Sequence, residues 1–224
     1  MRPLHYIRFC KGLFCVIVLF VCASPLFAHT INYALEGAPV GEISWFYFKL
    51  GFSHIVPEGL DHVLFIIALC LINTKLSSII WQATAFTVAH TIALILSMKN
   101  IIVAPAPIIE SVIALSIIFV AVENLLITKL QPWRILLVFA FGLIHGLGFA
   151  SALNETGLPP QKFFTSLLMF NLGVEVCQIL LITLVFSALI HPFKAKPWFR
   201  KGIVYPISLA IAMAGSYWLF ERMV

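Results

Sequence analysis

The stretch that decides the fold is "GFSHIVPEGLDHVLFIIALCL", Gly51–Leu71. Its second half is an unbroken apolar run, and its first half carries His54, Glu58, Asp61 and His62. An ionisable side chain at mid-bilayer costs about 2.5–3.5 kcal/mol on insertion scales, so such residues persist only where a partner or a water-lined cavity receives them. The stretch therefore predicts a membrane helix, and it needs a reason for imidazoles and carboxylates at that helix's mouth.

The rest of the chain is of the same kind. Of 224 residues, 62% are hydrophobic and only 10% charged, and the mean hydropathy is +1.06. A soluble domain carries about 25% charged residues. Six apolar runs are long enough to span, near 54–73, 80–98, 107–127, 134–152, 163–189 and 202–220. They are separated by breakers such as "KNIIVAPAP", "KLQPWR" and "NETGLPPQK". The predicted fold is all-α, a polytopic transmembrane helical bundle of about six membrane helices behind an N-terminal signal peptide.

Residues 1–28 read as that signal: Arg2, Arg8 and Lys11 precede an apolar Leu13–Ala23 segment, with cleavage expected after Ala28. Residues 29–52 are expected to form a periplasmic or interfacial segment, its "SWFYFKLGF" suiting an aromatic belt or a short surface helix. Residues 53–224 then form the six-helix domain. With His29 delivered outside, the inner loops hold Lys75, Lys129, Arg134, Lys194, Lys196, Arg200 and Lys201. The outer segments hold Lys49, Lys99, Lys162 and Arg222. The basic excess lies inside, with both mature termini periplasmic, and it reports orientation and not a nucleic-acid partner. Cys70 and Cys177 lie inside apolar runs, and no CxxC motif is present.

The phases of the intramembrane polar residues carry the chemistry. His54, Glu58 and Asp61 are spaced four and three apart, although Pro57 fits best in a first helical turn and so sets His54 before the helix proper. In "FTVAHTIAL", Thr87, His90 and Thr91 share a helix face. In "FNLGVEVCQI", Asn171, Glu175 and Gln178 share another. His145 stands among Gly142, Gly146 and Gly148, small residues that admit a close neighbour. At about 1.5 Å per residue, His62, His90, His145 and Asn171 fall at one depth in the outer half of the bilayer. Glu175 lies a turn deeper, and Glu123 and Asn124 lie near the cytoplasmic end.

Imidazole nitrogen and carboxylate oxygen together suit borderline divalent ions such as Ni²⁺, Co²⁺ and Zn²⁺. Amides and hydroxyls, Asn171, Gln178, Thr87 and Thr91 among them, can orient such ligands. Single residues have simpler readings. A lone intramembrane histidine most often hydrogen-bonds a neighbouring helix, and Glu58 and Glu110 suit first-turn acids. His191 reads as a solvated loop residue. Several histidines and acids near one layer outweigh those readings.

Four ordered segments, "GFSHIVPEGLDHVLF", "FTVAHTIAL", "FGLIHGLGFA" and "FNLGVEVCQ", resemble the HupE/UreJ family of bacterial membrane proteins. The resemblance implies a secondary permease of the bacterial inner membrane for nickel, with cobalt next. It implies that His54, Asp61 and His62 take part in metal passage, with His90 as the intramembrane histidine of a later motif.

The expected mechanism is entry of a divalent ion from the periplasm. His54 and Glu58, with His29, form the outer catch; Asp61, His62, His90, His145 and Glu175 form the central metal site; Glu123 with Asn124 forms the inward relay. The expected partners are the metal ion and the lipid bilayer, and a homo-oligomer is compatible. No cofactor is expected to be permanently bound. No GxxxxGK[ST] motif occurs. The alternatives are an intramembrane zinc hydrolase, its Zn²⁺ held by His62, His90 and His145 with Glu175 as general base, and a b-type haem protein with two axial histidines.

Overall fold

A computed structural model of the chain describes residues 37–72, 75–156 and 158–223; the signal segment and His29 lie outside the described residues. Seven α-helices follow one another: α1 Val40–Ile55, α2 Leu60–Ile72, α3 Leu76–Met98, α4 Ala106–Leu126, α5 Arg134–Thr156, α6 Phe163–Val185 and α7 Tyr205–Met223. A π-helical turn, Phe186–Ile190, prolongs α6, and another, Arg200–Val204, leads into α7. No strand occurs among the described residues.

Among the described residues four helical spans are long and apolar enough to cross a membrane: Leu76–Met98, Ala106–Leu126, Phe163–Ile190 and Arg200–Met223. The bent pair α1 and α2 makes a fifth if taken as one span. The expected count of six is therefore not confirmed, for two physical reasons. The apolar part of α5 is only Arg134–Ala150, because the polar "SALNET" that continues the helix does not suit hydrocarbon. The expected first run, 54–73, starts on the last residues of α1 and continues, after a break, as α2, the two helices meeting at 66°. Pro57 offers no N–H to a helix ladder, and Gly59 lies in the break, so the chain turns there.

His54 consequently closes the last turn of α1 and does not stand free before α2. α1 presents a stripe of Ile43, Tyr47, Gly51, His54 and Ile55 to the interior and packs along α6. Trp45 faces outward and stacks on Phe48, ring centres 5.6 Å apart. α2 is apolar on nearly every side beyond Asp61, and Leu64–Phe65–Ile66 and Ala68–Ile72 are all buried. A helix hydrophobic all round belongs in the middle of a protein. At 13 residues it is about 20 Å long, too short to span alone. It is enclosed by α4, α6 and α7.

The helices are drawn together by small residues. A Cβ on Gly51 would strike the Phe170 carbonyl, and one on Gly173 the Phe48 carbonyl, so α1 and α6 meet backbone to backbone. Gly142 and Gly146 do the same for α5 against α3, at the Phe86 and His90 carbonyls. Close backbone approach through glycines four apart is a recognised way for membrane helices to gain packing where lipid supplies no hydrophobic drive. Gly215 sets α7 against Ile118 of α4.

These seams predict a contrast. Gly173→Val should lower stability by about 1–3 kcal/mol through overpacking. Gly41→Ala, at a position with open space around it, should leave stability unchanged or slightly raised. Thermal unfolding in detergent micelles separates the two, and equal midpoints would contradict the α1–α6 seam.

Candidate metal centre

The break between α1 and α2 turns the two halves of the opening stretch toward each other. His54 at the end of α1 and His62 in the first turn of α2 have ring centres 4.6 Å apart. His90 comes from the middle of α3, 5.8 Å from His54 and 6.1 Å from His62. His145 comes from α5, with its ring 5.0 Å from that of His62. All four imidazoles are buried, His90 completely. The structure brings together, from four helices, Asp61, His62, His90 and His145, which were expected in the central site, and His54, which was expected in the outer catch.

The proton positions on two of these rings follow from their partners. His62 Nδ1 lies 2.9 Å from Asp61 Oδ1, which also accepts the His62 backbone N–H at 2.8 Å. His145 Nδ1 lies 2.8 Å from the Phe141 carbonyl oxygen. A carbonyl oxygen only accepts, and so does an ionised carboxylate, so Nδ1 donates in both rings and Nε2 carries the free lone pair. Both Nε2 atoms are buried without a partner, as are His54 Nε2 and both nitrogens of His90. A carboxylate behind a histidine fixes its tautomer and raises its basicity toward a metal.

Two imidazoles on one tetrahedral ion have ring centres about 5 Å apart, close to the observed spacings. Their aim differs: the rings meet edge to face or tilted. Among the described residues no three His, Cys, Asp or Glu side chains are arranged around a common point to hold an ion.

Aromatic rings that sequence reasoning missed wall the cluster. Phe149 lies 3.8 Å from the His54 ring and stacks on Phe170; Phe86 and Phe65 flank His145 and His62. The signal for them was helical spacing. Phe149 follows His145 by four, Phe86 precedes His90 by four, and Phe65 follows His62 by three, each on its histidine's own face.

The remaining expected site residues lie elsewhere. Glu175 is not among the imidazoles: its Oε1 accepts from Thr84 and its Oε2 from Thr87, both at 2.6 Å. Thr87 also lies 3.3 Å from Gln178 Oε1. Thr91 bonds back to the Thr87 carbonyl, and Asn171 to the Leu167 carbonyl, which leaves Asn171 Oδ1 buried without a partner. Glu58 is exposed at the break. Glu110 is exposed near Arg222, whose Nη1 donates to its carbonyl.

Glu123 and Asn124 sit among basic groups. Arg134, read from sequence as a loop charge, is 1% exposed, and its Nε lies 3.1 Å from Glu123 Oε2. Asn124 donates to the Ala68 carbonyl, and Arg200 donates to the carbonyls of Asn124 and Ile127 at the end of α4. The Arg134–Glu123 contact is an ion pair without hydrogen-bond alignment, and the guanidinium N–H groups have no hydrogen-bond acceptor. A buried guanidinium at this place opposes the passage of a cation past Glu123 unless the pair opens.

Fold and site together define an all-helical membrane protein whose polar groups are turned into its own interior. The profile of the HupE / UreJ protein family matches residues 32–222, nearly the whole chain, and the chain belongs to that family. The family is known for membrane proteins related to nickel and cobalt transport, transporter-like and not enzymatic in character. No curated protein and no solved structure matches the chain.

The buried pair generates a prediction of its own. Glu123→Leu should destabilise the protein by about 3–5 kcal/mol, because it strands the Arg134 charge, whereas Glu123→Leu with Arg134→Met should recover most of that loss. A double-mutant cycle by denaturant unfolding reads the difference, and additive effects would contradict the pairing.

Proposed function

We propose that this protein is a permease that carries a divalent transition-metal ion, nickel first and cobalt next, from the periplasm to the cytoplasm. The observation that carries this reading is the set of partnerless Nε2 atoms in the buried cluster of His54, His62, His90 and His145, two of them with their tautomer set by an acceptor behind the ring. Buried nitrogens without partners are costly to leave unmade, and a metal ion of borderline softness satisfies several at once. Family membership supports the same class of cargo.

The path begins at exposed Glu58, passes Asp61, whose side chain is 20% exposed, and reaches buried His62. Glu58 raises the local concentration of cations, and Asp61 both holds His62 and supplies the carboxylate that offsets the cargo's charge. His54, His90 and His145 complete the nitrogen donors. An inside-negative potential favours entry by about 2.3 kcal/mol per charge per 100 mV, doubled for a divalent ion.

The enzyme alternative loses support from the geometry. A zinc hydrolase of the expected kind needs Glu175 beside a metal-bound water, and both Glu175 oxygens are engaged with Thr84 and Thr87. For haem, the imidazoles are packed ring on ring among phenylalanines, and the cavity beside His62 has room for roughly one water.

The test is Ni²⁺ uptake into proteoliposomes holding an internal metal-sensitive dye. Wild-type protein should give flux that rises under an inside-negative potassium diffusion potential. Asp61→Asn and His62→Ala should each reduce the initial rate about 10–100-fold. Wild-type vesicles no faster than empty ones would overturn the reading.

A further inference from the structure

The group around Glu175 is unaccounted for by the histidine cluster. It is built by two helices: α3 contributes Thr84 and Thr87, three apart on one face, and α6 contributes Glu175 and Gln178, also three apart. Both carboxylate oxygens receive a hydroxyl at 2.6 Å. Gln178 is 1% exposed, with its carbonyl oxygen toward Thr87. Four oxygen-bearing side chains of three kinds are gathered within the membrane-length part of the bundle, and no lysine, arginine or histidine takes part in the hydrogen bonds that join them.

A second observation ties this group to the histidines. A small cavity between α2, α3 and α6 is lined by His62, Phe65, Leu69, Ala83, Phe86 and Gln178. One wall is His62, 4% exposed with Nε2 unpartnered, and another is Gln178 of the oxygen group. Along α3, Thr87 and Thr84 lie three and six residues before His90 toward the helix N-terminus. At 1.5 Å per residue the oxygen group is therefore about 5–9 Å inward of the histidine layer.

Resting on the permease reading, we propose that Glu175, Thr84, Thr87 and Gln178 form a second, oxygen-lined station for the same divalent cation, reached from the histidine cluster through the cavity between His62 and Gln178. The chemistry suits a hand-off. Each hydroxyl donates its proton to the carboxylate and keeps lone pairs, so it can turn from donor to ligand when a cation arrives. Oxygen donors hold a borderline ion less firmly than imidazoles do. Conduction requires sites that an ion can leave as well as enter, and a weaker site after a stronger one supplies that condition. The threonines also account for the resting state, in which a carboxylate inside the bundle keeps both oxygens hydrogen-bonded.

The experiment uses the full-length protein in two preparations. Purified protein loaded with Ni²⁺ is read by X-ray absorption for imidazole ligation, and proteoliposomes are read for initial Ni²⁺ flux. Glu175→Gln should keep the imidazole signature, with flux reduced about tenfold or more, and Glu175→Asp should recover part of the flux. Thr87→Val, which leaves the carboxylate in place, should also slow flux while keeping the signature. Wild-type flux in Glu175→Gln, or loss of the imidazole signature with it, would overturn the second station. Should Glu175→Gln not fold, wild-type flux in both Glu175→Asp and Thr87→Val would overturn it. If wild-type protein neither ligates Ni²⁺ through imidazole nor moves it, the permease reading itself falls; a wild type that does both, beside an unaffected variant, removes the station alone.

Discussion

The Asp61 carboxylate accepts both the backbone N–H and the Nδ1 proton of His62, and the arrangement of the interior depends on that contact. It anchors the first turn of α2, the short helix that the others enclose. It leaves Nε2 bare on a ring that neighbours those of His54 and His145 and shares a cavity with Gln178. It also keeps a carboxylate beside four imidazoles, where a cation would otherwise meet neutral nitrogen only. Inside a bundle that excludes water, a polar atom is satisfied by a neighbour or left open, and here five open imidazole nitrogens, on His54, His62, His90 and His145, are gathered in one cluster.

The polar interior divides into three regions with different character. The outermost is nitrogen-rich, with its rings walled by Phe65, Phe86, Phe149 and Phe170. The second is oxygen-rich and lies between α3 and α6. The third, at the far end of α4, is basic, where Arg134 meets Glu123 and Arg200 holds the last carbonyls of α4. Glu123 and Asn124, expected as an inward relay, are the acid and amide of this basic region.

Much of the fold was legible because hydropathy reports lipid-length helices well: the starts of α4, α5 and α6 fall within one residue of the expected runs. Two features escaped it. The turn at Pro57 and Gly59 is a local steric event inside a continuous apolar stretch, and averaging over a window blurs it. The burial of α1 depends on Gly51 meeting Gly173's helix, a pairing between residues more than a hundred positions apart. At the site, depth along each helix correctly grouped His62, His90 and His145, since intramembrane imidazoles are rare enough to stand out. Depth does not give the azimuth of one helix against another, and so Glu175 was grouped with the histidines although its face of α6 meets Thr84 and Thr87. Arg134 was hidden for a different reason: a basic residue closing the loop "KLQPWR" reads as a topological marker, and only the approach of α4 reveals it as a buried partner.

His145 stands between Gly142 and Gly146, the two positions at which α5 touches the backbone of α3. Because those contacts are carbonyl to glycine, the two helices engage like the teeth of an indexed gear and not like smooth rods. A slip of one residue would carry the imidazole about 1.5 Å along the axis and 100° around it, away from His62. The glycines thus act as a ruler: they record, in residues that bear no functional group, where a ligand on the next helix must stand.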